Sequence, residues 1–498
     1  MEKSAATALG NREVNREVNH ELNQASNHGL RRQLGLRDLV LSQVLCVVGA
    51  SWVGVAAGLG RGQAVTWAAA MLLFYLPVGA VVIGLNRIMP LEGGLYVWAH
   101  AGFGRMIGFL TAWNLWVYGI AIVAAILYAI PTELAYMIGP RASWLPESHV
   151  ASLAIVVSIV AAITLAAVRG LQWGKWIHNI GGTAMMTVFV GLIFLPAWAM
   201  WRHAGGYAGG QPGGQQINYA AQFALALPPL NLFSLALFGQ MLVGALSGLE
   251  YIAIFAGESR QPARNIARSV WIASPIICAM FILGTGSVGA FARRGHIDLI
   301  APIPQTLRIA LGNSGVGNLV VIGAILLLEL RLLGAANYLF TGVTRLPMAA
   351  GWDELVPQWF TRLHPRWKTP VNSILSTSGL VIVLLVLGTI GVRAQEAFQV
   401  LSNASMTHYE LMYMVMFAIP VSGARALRKS LPGWLKCVSV VGFCASFFSL
   451  LISVYPFVDV VNPLGYGAKI GGTVVVSNVV AIAFYYVRGR RTGTRDKF

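Results

Sequence analysis

The stretch Val47-Val48-Gly49-Ala50-Ser51-Trp52-Val53-Gly54, followed by Gly58, Gly60 and Gly62, lies in an otherwise apolar run over residues 38–60. A second stretch of the same kind, Gly239-Gln240-Met241-Leu242-Val243-Gly244-Ala245-Leu246-Ser247-Gly248-Leu249-Glu250, interrupts the run over 231–256. Glycine lowers the cost of unwinding a helix, and unwinding exposes backbone N–H and C=O groups. In a bilayer such groups are tolerated only where they line a cavity or are buried in protein. Interrupted spans at corresponding places in two halves of a chain point to a transporter binding site. Small residues also let helices pack closely, so glycine spacing alone leaves packing and binding both open.

The rest of the chain makes lipid its natural solvent. Of 498 residues, 56% are hydrophobic and 11% charged, against about 25% charged in a soluble domain. So thin a polar coat excludes a set of soluble domains. Runs of about 20 apolar residues, the length of a spanning helix, recur at 38–60, 64–88, 106–130, 150–168, 176–200 and 231–256. They continue at 269–291, 317–343, 372–391, 397–420, 433–456 and 468–487, giving twelve expected spans with both termini on one side. The largest loops on the other side are expected around Gly205–Gly214 and from Arg293 to Gly315.

The formal net charge of +17 would suggest nucleic acid in a soluble chain. Here most of the 35 Lys and Arg residues fall in the tails and loops on the side of the termini. The opposite side carries only Arg61, Arg141, Arg202, Arg293, Arg294, Arg308, Arg393 and Lys469. By the positive-inside rule both termini are expected in the cytoplasm, and the nucleic-acid reading falls away. Cys46, Cys278, Cys437 and Cys444 lie in apolar runs without metal-ligand spacing. They are expected to be buried small hydrophobes rather than a disulfide framework. No metal or cofactor is expected. Residues 1–34 are polar, with no apolar run for a cleavable leader. They hold a four-residue near-repeat from Asn11 to Leu22 that puts Val14, Val18 and Leu22 on one helical face. A disordered tail is expected in preference to a docking helix.

Four ordered stretches over residues 35–420 resemble the amino acid–polyamine–organocation transporters. The glycine-rich first span is one, and Pro90-Leu91-Glu92-Gly93-Gly94-Leu95-Tyr96-Val97-Trp98 running to Phe103-Gly104 is another. The third is Ser247-Gly248-Leu249-Glu250 with Ala256-Gly257-Glu258 and Gln261-Pro262-Ala263-Arg264-Asn265-Ile266. The fourth runs from Arg345 through Asp353, Leu355, Pro357 and Trp359-Phe360 to Leu363-His364-Pro365 and Thr369-Pro370. The second and fourth are most similar to the glutamate/γ-aminobutyrate-exchanger-like branch.

The resemblance implies an all-α integral membrane protein of twelve transmembrane helices working by alternating access. Residues 35–421 would form a ten-helix core, a five-plus-five inverted repeat. Two peripheral helices and a cytoplasmic tail would occupy 422–498. Carried over by position, Gly49, Ala50 and Ser51, with Trp52 beside them, would face a substrate carboxylate. Ala245, Leu246 and Ser247, followed by Gly248 and Leu249, would offer carbonyls to its amine. The physics agrees, because helix N-termini attract carboxylates and freed carbonyls suit an ammonium group. Two departures stand out. Ser51-Trp52 replaces a Gly followed by an aliphatic or aromatic residue, which implies a narrower pocket. Leu249 replaces a residue that is often aromatic and helps occlude substrate, which leaves the outer gate unassigned.

Glu250, Glu329, Arg331, His408 and Glu410 lie inside spans and are the candidates for coupling or gating. A charge at the bilayer centre costs roughly 2.5–3.5 kcal/mol on insertion scales, so each needs a partner. Glu329 and Arg331 are two residues apart, about 200° around a helix, and so are His408 and Glu410. Partners are therefore expected across helices, with Arg331 meeting a carboxylate such as Glu250 and standing where a cation would. Span eight has no Ser or Thr from Asn318 to Phe340, where hydroxyls commonly help bind sodium in this fold. Span five has no lysine after Lys175. Sodium coupling is disfavoured, and proton coupling or exchange is preferred. Structural readings stand beside these: Glu250 as a lock on span six, Glu329 and Arg331 as packing ion pairs, His408 as a satisfied core histidine. Trp113, Trp116 and Tyr118 read as helix packing rather than as a substrate wall.

The expected function is secondary active transport of an amino acid across the cytoplasmic membrane, as exchanger or proton symporter, with no catalytic residue. Lipid and protons are the other expected partners. Polyamine or organic-cation transport is the alternative, motivated by the three mid-membrane glutamates. An enzyme would need a nucleophile or metal motif that the chain lacks, and a sensor would need a soluble output domain.

Overall fold

The computed structural model describes residues 34–88, 94–170, 174–202, 219–254, 259, 261–291, 297–349, 356–388, 394–422, 431–456, 460 and 462–491. The expected tail therefore lies outside the described residues apart from Leu34. So do 90–93, 256–258, 353 and 355 of the family-like stretches and the 205–214 loop.

Among the described residues every regular element apart from the isolated Leu34–Ser259 bridge is a helix. In order it forms α1 (Leu36–Val47), α2 (Ala50–Ala57), α3 (Gly60–Ile88), α4 (Leu95–Phe103), α5 (Arg105–Ile138) and α6 (His149–Arg169). There follow α7 (Gly174–Arg202), α8 (Leu232–Ala245), α9 (Tyr251–Ile254), α10 (Pro262–Phe291), α11 (Pro302–Leu311) and α12 (Gly315–Ala349). The last are α13 (Gln358–Thr361), α14 (Val371–Gly388), α15 (Ala394–Ser422), α16 (Gly433–Ile452) and α17 (Pro463–Arg491). Local signals set several starts. The Asp38 carboxylate accepts from the Gly35 N–H ahead of α1 (2.8 Å), and the Asn231 side chain accepts from the Ser234 N–H to open α8 (2.8 Å).

Eight of these helices are long and apolar enough to cross a membrane, and the pair α1 and α2, bent by 46°, makes a ninth span. The difference from twelve has a physical cause. The run over 231–256 divides into the short α8 and the single turn α9, and the apolar part of α14 is short. Helix α15 is long but carries buried Gln399, Asn403, His408 and Glu410.

The interior is built around α5 and α12. Helix α12 packs along both α7 and α5, α15 packs between α5 and α16, and α1 and α2 lie against α10. Burial of apolar surface does not drive helices together in lipid, so packing and interhelical hydrogen bonds must do so. Gln43 donates to Ser269 (2.7 Å), Trp67 to Thr285 (3.0 Å) and Asn114 to Asn478 (2.7 Å), each bond joining two helices. Outward faces carry exposed apolar side chains such as Phe194, Trp271, Leu319 and Val475.

One backbone position holds the second break in place. Gly248 adopts φ +106°, and a Cβ there would sit 2.9 Å from Cys46 Sγ. A side chain in such a conformation costs about 1–3 kcal/mol. Gly248→Ala is expected to lower the apparent melting midpoint of the detergent-solubilised protein. Adding Cys46→Ala relieves the contact but not the dihedral, so only part of the loss should return. Full recovery in the double variant would show the dihedral to be unimportant.

Candidate functional site

Both glycine-rich stretches are helix breaks. Helix α1 stops at Val47, Val48 and Gly49 are extended (φ −79°, ψ 98° and φ −87°, ψ 124°), and α2 starts at Ala50. Helix α8 ends in a π turn, Met241–Ala245, after which Leu246 leaves helical geometry (φ −104°, ψ 6°) and Gly248 turns the chain toward α9. Insertions of π turns in α-helices are frequent at functional sites.

The breaks face each other across a central cavity of about 90 Å³. Gly49, Ala50, Ser51 and Trp52 wall it from the first break, and Gly244 and Ser247 from the second. Tyr118, Ile122 and Glu133 of α5, Arg331 and Leu332 of α12, and Gln399 and Ser402 of α15 also line it. Ala245, Leu246, Gly248 and Leu249 are buried at the second break without joining the wall.

Arg331 is the buried cation of this site. Its Nη2 donates to the Val48 carbonyl at 2.7 Å, the acceptor laid bare where α1 stops. Its Nε, and Oε2 of Glu133, are buried with no hydrogen-bond partner among the described residues. The expected pairing of Arg331 with Glu250 is not seen among the described residues. Glu133 shares the cavity wall with Arg331. Glu250 instead accepts hydrogen bonds from the Tyr409 and Tyr413 hydroxyls.

Sequence reasoning missed Glu133 because Pro131 reads as the end of the third span at residue 130. The helix runs through that proline to Ile138, as membrane helices can when neighbours satisfy the freed groups. A carboxylate so close to an apolar run was the available signal.

The other buried titratable groups stand behind the wall. Glu250 is tied to the cavity through aromatic rings, because Tyr409 stacks on the cavity-lining Tyr118 with centroids 3.7 Å apart. The Tyr413 hydroxyl also accepts from the Gly248 N–H (3.0 Å), fixing the second break to α15. Glu410 accepts from Ser449 of α16 (2.5 Å). His408 Nδ1 lies 2.8 Å from the Ala404 carbonyl, and its Nε2 and Oε1 of Glu329 have no hydrogen-bond partner among the described residues. Of the five coupling candidates only Arg331 reaches the cavity.

The expected aromatic cluster divides. Trp113 and Trp116 pack together at 5.7 Å, with Trp113 donating to Ser477, whereas Tyr118 lines the cavity. The cysteine expectation is corrected in part. All four are free, but Cys437 and Cys444 are exposed, on the lipid-like face of α16, and Cys46 lines the cavity.

One face of the cavity is closed by the segment leading into α11. Ile300 lines both the central cavity and a second cavity of about 470 Å³ beside Tyr136, Asp298 and Arg308. Asp298 fixes this segment by accepting from the Ile300 N–H (2.9 Å), the Ala301 N–H (3.1 Å) and the Tyr136 hydroxyl (2.9 Å). Arg308 donates to the Tyr136 and Met137 carbonyls, both at 2.7 Å, and caps α5.

A double-mutant cycle distinguishes the two pairings. Glu133→Gln with Arg331→Met should show a coupling of about 0.5–3 kcal/mol, read from melting midpoints in detergent. Glu250→Gln with Arg331→Met should be nearly additive. Additivity in the first cycle and coupling in the second would restore the pairing with Glu250.

Comparison with known proteins agrees with this architecture. A family model described as amino acid permease matches residues 39–484. An uncharacterized transporter of Legionella pneumophila is 25% identical over 412 residues, 82% of this chain and 83% of that protein. A protein of Lactococcus lactis named as a probable agmatine/putrescine antiporter is 25% identical over 285 residues, 57% of each chain. The aspartate/glutamate permease AcaP of Lactococcus lactis subsp. cremoris is 22% identical over 369 residues, 73% of this chain and 74% of that protein. Matched along most of its length, with two broken helices around a charged central cavity, this chain belongs to the amino acid permease family of the amino acid–polyamine–organocation superfamily.

Proposed function

We propose that this permease carries amino acids across the cytoplasmic membrane by alternating access, as an exchanger or proton symporter, without sodium. The observation that carries the reading is the Arg331 guanidinium on the Val48 carbonyl. A bare carbonyl at a helix break is what a bound cation would satisfy, and a permanently charged side chain already occupies it. The N–H groups at the start of α2 and the orphan Arg331 Nε suit a carboxylate. Glu133 and the carbonyls of the second break suit an ammonium group.

The proposal extends to the architecture. The breaks fall in the first and sixth of twelve spans, counting α1 with α2 and α8 with α9. That is the correspondence an inverted repeat of five and five would give. Residues 35–421 are then the transport core, 422–498 the peripheral helices and tail, and 1–34 a cytoplasmic tail. The excess of Lys and Arg on the side of the termini supports a cytoplasmic location for both. Ile300 and α11 then close the cavity toward the outside. In this reading Glu250, tied to Tyr409 and Tyr413, gates the second break, and Glu329, His408 and Glu410 hold their helices.

Polyamine transport is the second reading, favoured by Glu133 in the cavity wall and by the printed name of one relative. Arg331 in the same wall weighs against it, since a fixed cation repels a ligand that carries only positive charge.

Counterflow in proteoliposomes tests the proposal with a panel of amino acids and with putrescine as competitor. Uptake of at least one amino acid is expected, unchanged when sodium is replaced by choline and not suppressed by putrescine. Loss of uptake in choline would overturn sodium independence, and uptake of putrescine alone would favour the second reading. An imposed pH gradient separates the coupling modes, because it drives net accumulation by a symporter and leaves one-for-one exchange unmoved.

A further inference from the structure

The indole of Trp52 spans the gap between the two breaks. A Cβ at Gly49 would fall 2.5 Å from its Cδ1, and one at Gly244 would fall 2.5 Å from its Cη2. Both glycines are therefore bare because the ring occupies the space their side chains would need. The ring is thereby held at both ends, by one strand of backbone from each broken span. A tryptophan has only two side-chain torsions, so a ring clamped in this way is a stiff wall rather than an adaptable one.

The cavity left beside that wall is small, about 90 Å³. An apolar cavity of about 150 Å³ holds benzene, a ring of the same order of bulk as a leucine or phenylalanine side chain. An amino acid must also seat its carboxylate and ammonium within the space, near Arg331 and Glu133. Ile122, Leu339, Phe398 and Met406 add apolar bulk to the rest of the wall.

The geometry points to Trp52 as a size filter that restricts the substrate to the smallest zwitterionic amino acids, glycine, alanine and serine. This rests on the preceding reading that the substrate sits between the breaks. The expected selectivity is steep, because one methylene more or less in an apolar pocket already shifts discrimination by about 10–200-fold. Removing the indole enlarges the cavity on the side where both flanking glycines leave room.

The test is counterflow by the full chain in proteoliposomes with glycine, alanine, serine, valine, leucine and phenylalanine. Wild type, Trp52→Phe and Trp52→Ala are compared, each checked for monodispersity before reconstitution. Wild type should favour alanine over leucine by at least about tenfold, within the range one methylene sets. The leucine-to-alanine uptake ratio should rise in Trp52→Phe and rise further, by about tenfold or more, in Trp52→Ala. Equal uptake of leucine and alanine by wild type would overturn the filter while leaving amino acid transport intact. An unchanged ratio in both variants would overturn the assignment to Trp52. Uptake of no amino acid by wild type would overturn the transport reading and the filter together. The wild-type cut-off needs no variant, so misfolding of either one cannot rescue the idea.

Discussion

A helix that stops inside a membrane leaves carbonyls that water cannot reach, and this protein answers one of them with an arginine. The Val48 carbonyl accepts from Arg331 at 2.7 Å. An unsatisfied polar group in hydrocarbon costs several kcal/mol, so the donor that α12 delivers stabilises the first break. The second break is held by a comparable device, the Tyr413 hydroxyl against the Gly248 N–H. Each open helix end is thus tied to a different helix, the first to α12 and the second to α15.

That arrangement also explains where the buried charges went. Arg331 and Glu133 share the cavity wall, each with an unpartnered buried atom. Glu250 is set back behind Tyr409 and Tyr413. A buried charge must be met by hydrogen bonds or an opposite charge, and tyrosine hydroxyls meet Glu250 without a cation. Ser449 does the same for Glu410. The interior therefore holds several buried carboxylates but only one buried arginine among the described residues, and that arginine lines the central cavity.

Much of the fold was legible in the chain because lipid imposes a simple rule on composition. Runs of apolar residues marked the helices, and glycine clusters marked both breaks. The helices that fall outside a length-and-hydropathy criterion do so for a reason: α8 and α9 are short, the apolar part of α14 is short, and α15 carries buried His408 and Glu410. The site was legible only in part. Gly49 through Trp52 and Ser247 could be placed from spacing and resemblance. Glu133 could not, because Pro131 masks the continuation of α5. Nor could the tyrosine shell around Glu250, since nothing local in α15 announces that Tyr409 and Tyr413 face the second break. The partner of Arg331 was misjudged for the same reason: pairing across helices depends on rotation about the helix axis, which an all-round apolar pattern does not encode.

The central claim, that substrate binds between the two breaks beside a fixed cation, is tested most directly by site-specific protection. With the four native cysteines replaced by alanine, Ser51→Cys would be alkylated in membranes held free of sodium. A transported amino acid should slow its labelling, and added sodium should not alter the protection. Labelling at residue 51 that is indifferent to a transported amino acid, or protected only in sodium, would contradict the account.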